Sequence, residues 1–134
     1  MPGKSSVALL AVLALAACNQ EPAQTNQPVI KVRNAEQERL HTLDAFNLAI
    51  ALKHAIYDAG YGCKRIDKAG FVGPYQNLDM WTAHCPDGKA GRDWAIFAGP
   101  DGSAQVRDCK DLAGTGLPAC VIKEQPKGSF GSAR

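Results

Sequence analysis

The sequence has one sustained apolar run, Val7–Ala17, and no segment long enough to span a bilayer. Eleven residues rise only about 16 Å as a helix, roughly half the hydrocarbon thickness. Charge of one sign is also lacking: 15 Lys and Arg stand against 13 Asp and Glu. That balance excludes the concentrated basic face of a nucleic-acid-binding protein and the acidity of a solvating tail. No Cys-x-x-Cys pair occurs among the five cysteines. A compact zinc knuckle and a redox dithiol are therefore not signalled, although a zinc site with long gaps stays a rival reading. Gly-x-Ser-x-Gly is missing. The Gly114-Thr115-Gly116 segment is too short to cradle a phosphate, and the full calcium-loop pattern is absent.

What is present starts with Lys4, the apolar run, and then Leu15-Ala16-Ala17-Cys18. This arrangement resembles the signal peptide and lipobox of bacterial lipoproteins. The resemblance implies a lipid on the Cys18 sulfur, cleavage before Cys18 and acylation of the new amino terminus. An ordinary secretory signal with an incidental cysteine is the competing reading. Removing residues 1–17 leaves 117 residues with 14 basic and 13 acidic side chains, because Lys4 is the one charge lost. Asn19 follows Cys18 where an aspartate would signal retention. In the Gram-negative sorting pattern this implies an outer-membrane lipoprotein facing the periplasm. A soluble periplasmic protein and an inner-membrane lipoprotein are the alternatives. Residues 18–33 read as the lipidated cysteine and a tether. Asn19–Pro28 has no apolar residue larger than alanine and cannot offset the entropy of ordering it.

Residues 34–125 read as one α+β domain, with residues 126–134 as a flexible tail. Asn34 is a good N-cap, and Gln37 stands three residues on, as in a capping box. Leu40, Leu43, Phe46, Ile50 and Tyr57 trace an apolar stripe that Leu48, Leu52 and Ile56 widen. This predicts one long amphipathic helix, stopped by Gly60 and Gly62. Turn signals then separate β-type runs: Pro86-Asp87-Gly88 and Gly99-Pro100-Asp101-Gly102. The expected strands are Cys63–Phe71, Leu78–Cys85, Asp93–Ala98 and Ala104–Cys109, forming a three- or four-stranded antiparallel meander against the helix.

With Cys18 assigned to lipid, Cys63, Cys85, Cys109 and Cys120 remain, an even number in a small exported domain. A hairpin turning at Gly73-Pro74 places Cys63 opposite Cys85, and a tip shifted by one residue breaks the match. Cys109 and Cys120 would then close a local loop. Three connectivities are possible, and Cys63–Cys85 with Cys109–Cys120 is the expected one.

Strand alternation splits the side chains into two sets. Leu78, Met80, Thr82 and His84 match Trp94, Ile96, Ala98, Ala104 and Val106, and this more apolar set is expected to face the helix. Asp79, Trp81, Ala83 and Cys85 match Ala95, Phe97, Gln105 and Arg107. Trp81 and Phe97, with Arg65 and Arg107, then form a candidate binding surface of the kind that dominates interfaces. A bulge that flips the register would place Trp81 in the core instead.

Signals for catalysis are weak, and no catalytic residue, metal ligand or cofactor is assigned. His41 and His54 fall on the polar side of the helix beside Asp44 and Asp58, as solvated pairs commonly do. His84 abuts Cys85, whose thiol the disulfide removes. The aspartates sit mostly at turns and strand ends, and no spacing picks out a catalytic pair.

Three motifs, Asp58-Ala-Gly-Tyr-Gly-Cys-Lys-Arg-Ile, Met80-Trp-Thr-Ala-His-Cys-Pro-Asp-Gly and Gln105-Val-Arg-Asp-Cys, resemble a group of short alphaproteobacterial exported proteins, which carries no activity to transfer. The order of a helix and then a strand–turn–strand unit is also similar to PepSY-type domains, associated with peptidase inhibition. The expected function is a noncatalytic envelope-binding module. It would be held to the membrane through Cys18 and would partner an envelope protein rather than nucleic acid. A PepSY-like peptidase regulator and a small hydrolase with dispersed carboxylates are the alternatives.

Overall fold

The computed structural model describes residues 33–131. The signal segment, Cys18, the rest of the tether and residues 132–134 lie outside the described residues. Two helices lead, α1 (Ala35–Thr42) and α2 (Ala45–Asp58). Four strands follow: β1 (Lys68–Tyr75), β2 (Leu78–Cys85), β3 (Arg92–Ala98) and β4 (Ala104–Asp108). They form an antiparallel meander in the order β1-β2-β3-β4. A single 3₁₀ turn, Cys109–Leu112, follows β4. No helix among the described residues is long and apolar enough to cross a membrane.

The long helix expected from the apolar stripe is two helices. The break falls at Leu43, which is extended at φ −74° and ψ 142°. Asp44 restarts the helix as an N-cap, its Oδ1 accepting from the Asn47 backbone N–H at 2.8 Å. The Ala45 N–H is one of the donors left over at a helix start. It donates to the Lys127 carbonyl at 2.8 Å, so a distant segment stabilises the break. Asn34 caps α1 by accepting from the Gln37 N–H at 3.1 Å. The Gln37 side chain does not close a capping box. It is buried, and it donates to the carbonyls of Asn77 at 2.9 Å and Ala98 at 3.2 Å. At the other end Gly60, at φ 88°, terminates α2. Gly60 N–H donates to Tyr57 and Tyr61 N–H to Ile56, the paired bonds of a Schellman motif.

The first hairpin turns at Gln76-Asn77, with Tyr75 paired to Leu78, and not at Gly73-Pro74. Gln76 takes φ 53°. Gly73 instead lies next to a register shift between Phe71 and Gly73. Strand β1 accordingly begins at Lys68, later than expected, and Cys63 lies before it. The disulfides are nonetheless Cys63–Cys85 and Cys109–Cys120, with Cα separations of 5.7 and 5.9 Å.

Both faces of the sheet are buried. On one face Trp81, Ala83, Cys85, Trp94, Ile96, Ala98 and Val106 pack with Leu48, Leu52 and Ile56 of α2. On the other, Val72, Met80, Ala95 and Phe97 pack under Leu112, with Leu117, Cys109 and Cys120 beside them. The C-terminal segment runs along β1. Phe71 N–H donates to Glu124 at 2.9 Å, and Lys123 N–H donates to Phe71 at 2.8 Å. Phe130 then packs against the helix-side core.

Candidate functional site

The aromatic platform expected on one sheet face does not form. Trp81 and Phe97 are each only 3% exposed and lie on opposite faces. The reason is register. Met80 stands opposite Phe97 and Trp81 opposite Ile96. This pairing differs by one residue from the expected matching, and such a slip exchanges every side chain between faces. Arg65 and Arg107 are not brought together either. Arg65 borders a hollow beside α2, while Arg107 is exposed on β4, opposite Ala95.

The helix-side core encloses a polar constellation that its residues do not announce in sequence. Asp79 of β2 is fully buried. Its Oδ2 accepts from Arg33 Nε at 3.1 Å and lies 3.0 Å from His41 Nε2. His41 is wedged between aromatic rings, 4.5 Å from Phe71 and 4.7 Å from Trp81 by centroid. The Arg33 guanidinium sits 5.1 Å above the Phe71 ring. The break after Thr42 ends α1 while His41 still faces the sheet, away from the solvated side expected for it. His41 and Asp79 form an acid–base pair in outline. Through it Arg33, ahead of α1, and His41 of α1 are tied to Asp79 of β2. The adjoining hollow, lined by Leu40, Phe71 and Pro126 among others, holds only about 40 Å³. His84 pairs across the strands with Asp93 at 2.7 Å, and His54 is exposed.

A groove of about 420 Å³ runs between the helices and the β3–β4 end of the sheet. Its walls are apolar at Leu40, Leu43, Leu52 and Ile96, and Glu36, Arg39, Asn47 and Ser103 add polar groups. The β3–β4 turn closes one end. Gly99 N–H donates to the Ser103 carbonyl at 2.8 Å, and Gly102 takes φ 81°. Asp101 in this turn accepts from the Ser103 hydroxyl at 2.5 Å and from its N–H at 3.1 Å. Those bonds, the hydroxyl first, hold its carboxyl below the ordinary aspartate range. Asn34 reaches into the same turn, donating its side-chain amide to the Pro100 carbonyl.

Sequence reasoning missed the groove because it exists only between elements. The one local signal was the small-residue run at Ala98-Gly99, which leaves space beside the helix. No protein-family model matches the chain, and neither a curated protein nor a solved structure is similar enough to match it.

Proposed function

We propose that this protein is a noncatalytic envelope lipoprotein, tethered through Cys18, whose domain binds an extended apolar segment of a protein partner. The observation that carries this reading is the groove of about 420 Å³ beside α2. Its apolar walls suit aliphatic side chains, and its few polar groups can fix orientation. The groove reaches Ala104, the first residue of β4, and β4 is an edge strand of the sheet. An extended segment can therefore lie along the β4 edge while its side chains enter the groove. The signal-like run Val7–Ala17 and the Cys18 that follows it support the membrane tether.

Envelope photo-crosslinking from a probe at Asn47 tests the groove. A defined crosslinked partner is expected in the wild type, and Ala51→Arg, which fills the groove from α2, is expected to abolish it. An unchanged crosslinking pattern in Ala51→Arg overturns the assignment. Metabolic palmitate labelling tests the tether separately, with loss of label expected in Cys18→Ser. If the captured partner is a peptidase, stoichiometric slowing of its hydrolysis identifies the inhibitory form of the same binding.

A further inference from the structure

We infer that one flank of α2 is built to lie on an anionic phospholipid surface. Phe46, Ile50 and Tyr57 were expected in the core, but they are 62%, 42% and 50% exposed. The positions actually buried are Ala45, Leu48, Leu52 and Ile56. With Lys53, the three exposed residues fall three and four apart and form one row on the helix surface. The row faces away from the peptide groove, on the opposite flank of α2 apart from the shared Ile50.

The chemistry along this row selects the occupant. A shallow hollow of about 200 Å³ beside Phe46 and Ile50 is bordered by Lys53, Lys64 and Arg65, and every charged side chain lining it is cationic. The Lys53 ammonium lies 5.7 Å from the Tyr57 ring and donates to the Lys64 carbonyl at 2.7 Å. Lys53 is half-buried and lines the hollow, the setting in which a lysine stem covers apolar surface and its charge stays at the edge. Carboxylates lie at the margin: Asp58 ends the helix, and Asp87 accepts from the Lys64 N–H at 2.7 Å. Phenylalanine, isoleucine and tyrosine flanked by cations match the apolar depth and negative charge of a lipid headgroup region. A protein partner would need acidic groups set around an apolar knob, whereas an anionic bilayer supplies both features everywhere.

This inference takes its setting from the lipid-tether reading but not its chemistry, and the two fail separately. Palmitate labelling reports on Cys18. Partition of the full Cys18→Ser chain onto vesicles reports on α2. The vesicles are phosphatidylcholine alone or phosphatidylcholine with one-third phosphatidylglycerol. Lys53→Gln and Arg65→Gln are each expected to lower partition onto the anionic vesicles about fivefold, with no change on the neutral ones. Phe46→Ser with Ile50→Ser is expected to lower both. Amide exchange at Phe46–Tyr57 is expected to slow several-fold on the anionic vesicles, a local readout that the apolar leader does not mimic. Equal partition of wild type and both glutamine variants overturns the inference. So does exchange at α2 that anionic lipid leaves unchanged, or a vesicle-free dimer that covers the same row.

Discussion

Single residues in this domain are set by contacts far away in sequence, and Asp79 is the clearest case. A carboxylate at zero exposure is costly unless it is paired, and the Arg33 guanidinium pairs with it from just ahead of α1 while His41 Nε2 of α1 lies 3.0 Å away. In sequence Asp79 is one of many aspartates, and nothing local marks it as interior. Asp101 shows the opposite situation, a fully local arrangement in a Pro-Asp-Gly turn. Its carboxyl is held low by Ser103, so the bond favours the folded turn at and above ordinary aspartate titration. That contribution fades as pH falls through the depressed folded value. Ser103→Ala is expected to move the Asp101 titration up toward the ordinary range. Carbon-detected NMR against pH would show it, and an unmoved titration would mean that Ser103 is not the cause.

At the scale of elements, the helix break is the instructive feature. Asp44→Ala removes the cap of α2 and is expected to cost about 1 kcal/mol, measured by urea unfolding. A negligible loss would mean that the Lys127 contact alone holds the break. The sequence marks for the strands were strong: β2 spans the expected Leu78–Cys85, and β3 and β4 differ from expectation by one residue each. Turn residues and β-type runs are local signals and survive folding. The helix was less legible, because continuous periodicity hides a cap when Asp44 can equally be read as a surface residue. The first hairpin was misplaced for a related reason. Gly73-Pro74 is the better turn dipeptide, yet it lies beside a register shift, while Gln76 accepts the positive φ at the tip. The Cys63–Cys85 pairing came out as expected although that tip did not, since Cys63 meets Cys85 from the segment ahead of β1. The candidate surface failed on register alone. Alternation establishes that two faces exist, but only cross-strand pairing decides which residues share one.

For the whole molecule, the sheet is a middle layer. Both its faces carry apolar clusters, so a small chain gains two interiors around four strands. The C-terminal segment guards β1, an edge strand, through its bonds with Phe71. Removing residues 122–134 is expected to lower stability by about 3 kcal/mol and to promote self-association through the uncovered edge. Sedimentation and urea unfolding would register both effects, and a monomer of unchanged stability would show that the segment is dispensable. Each disulfide belongs to a different side of this middle layer. Cys63–Cys85 rivets the helical side, and Cys109–Cys120 rivets the loop that covers the other. The molecule is in effect a laminate with one fastener per ply. Neither fastener crosses to the other ply, so Cys109→Ser with Cys120→Ser is expected to raise amide exchange around Leu112 and Leu117 more than around Leu48 and Leu52, and equal changes on both sides would show that the plies are not fastened separately.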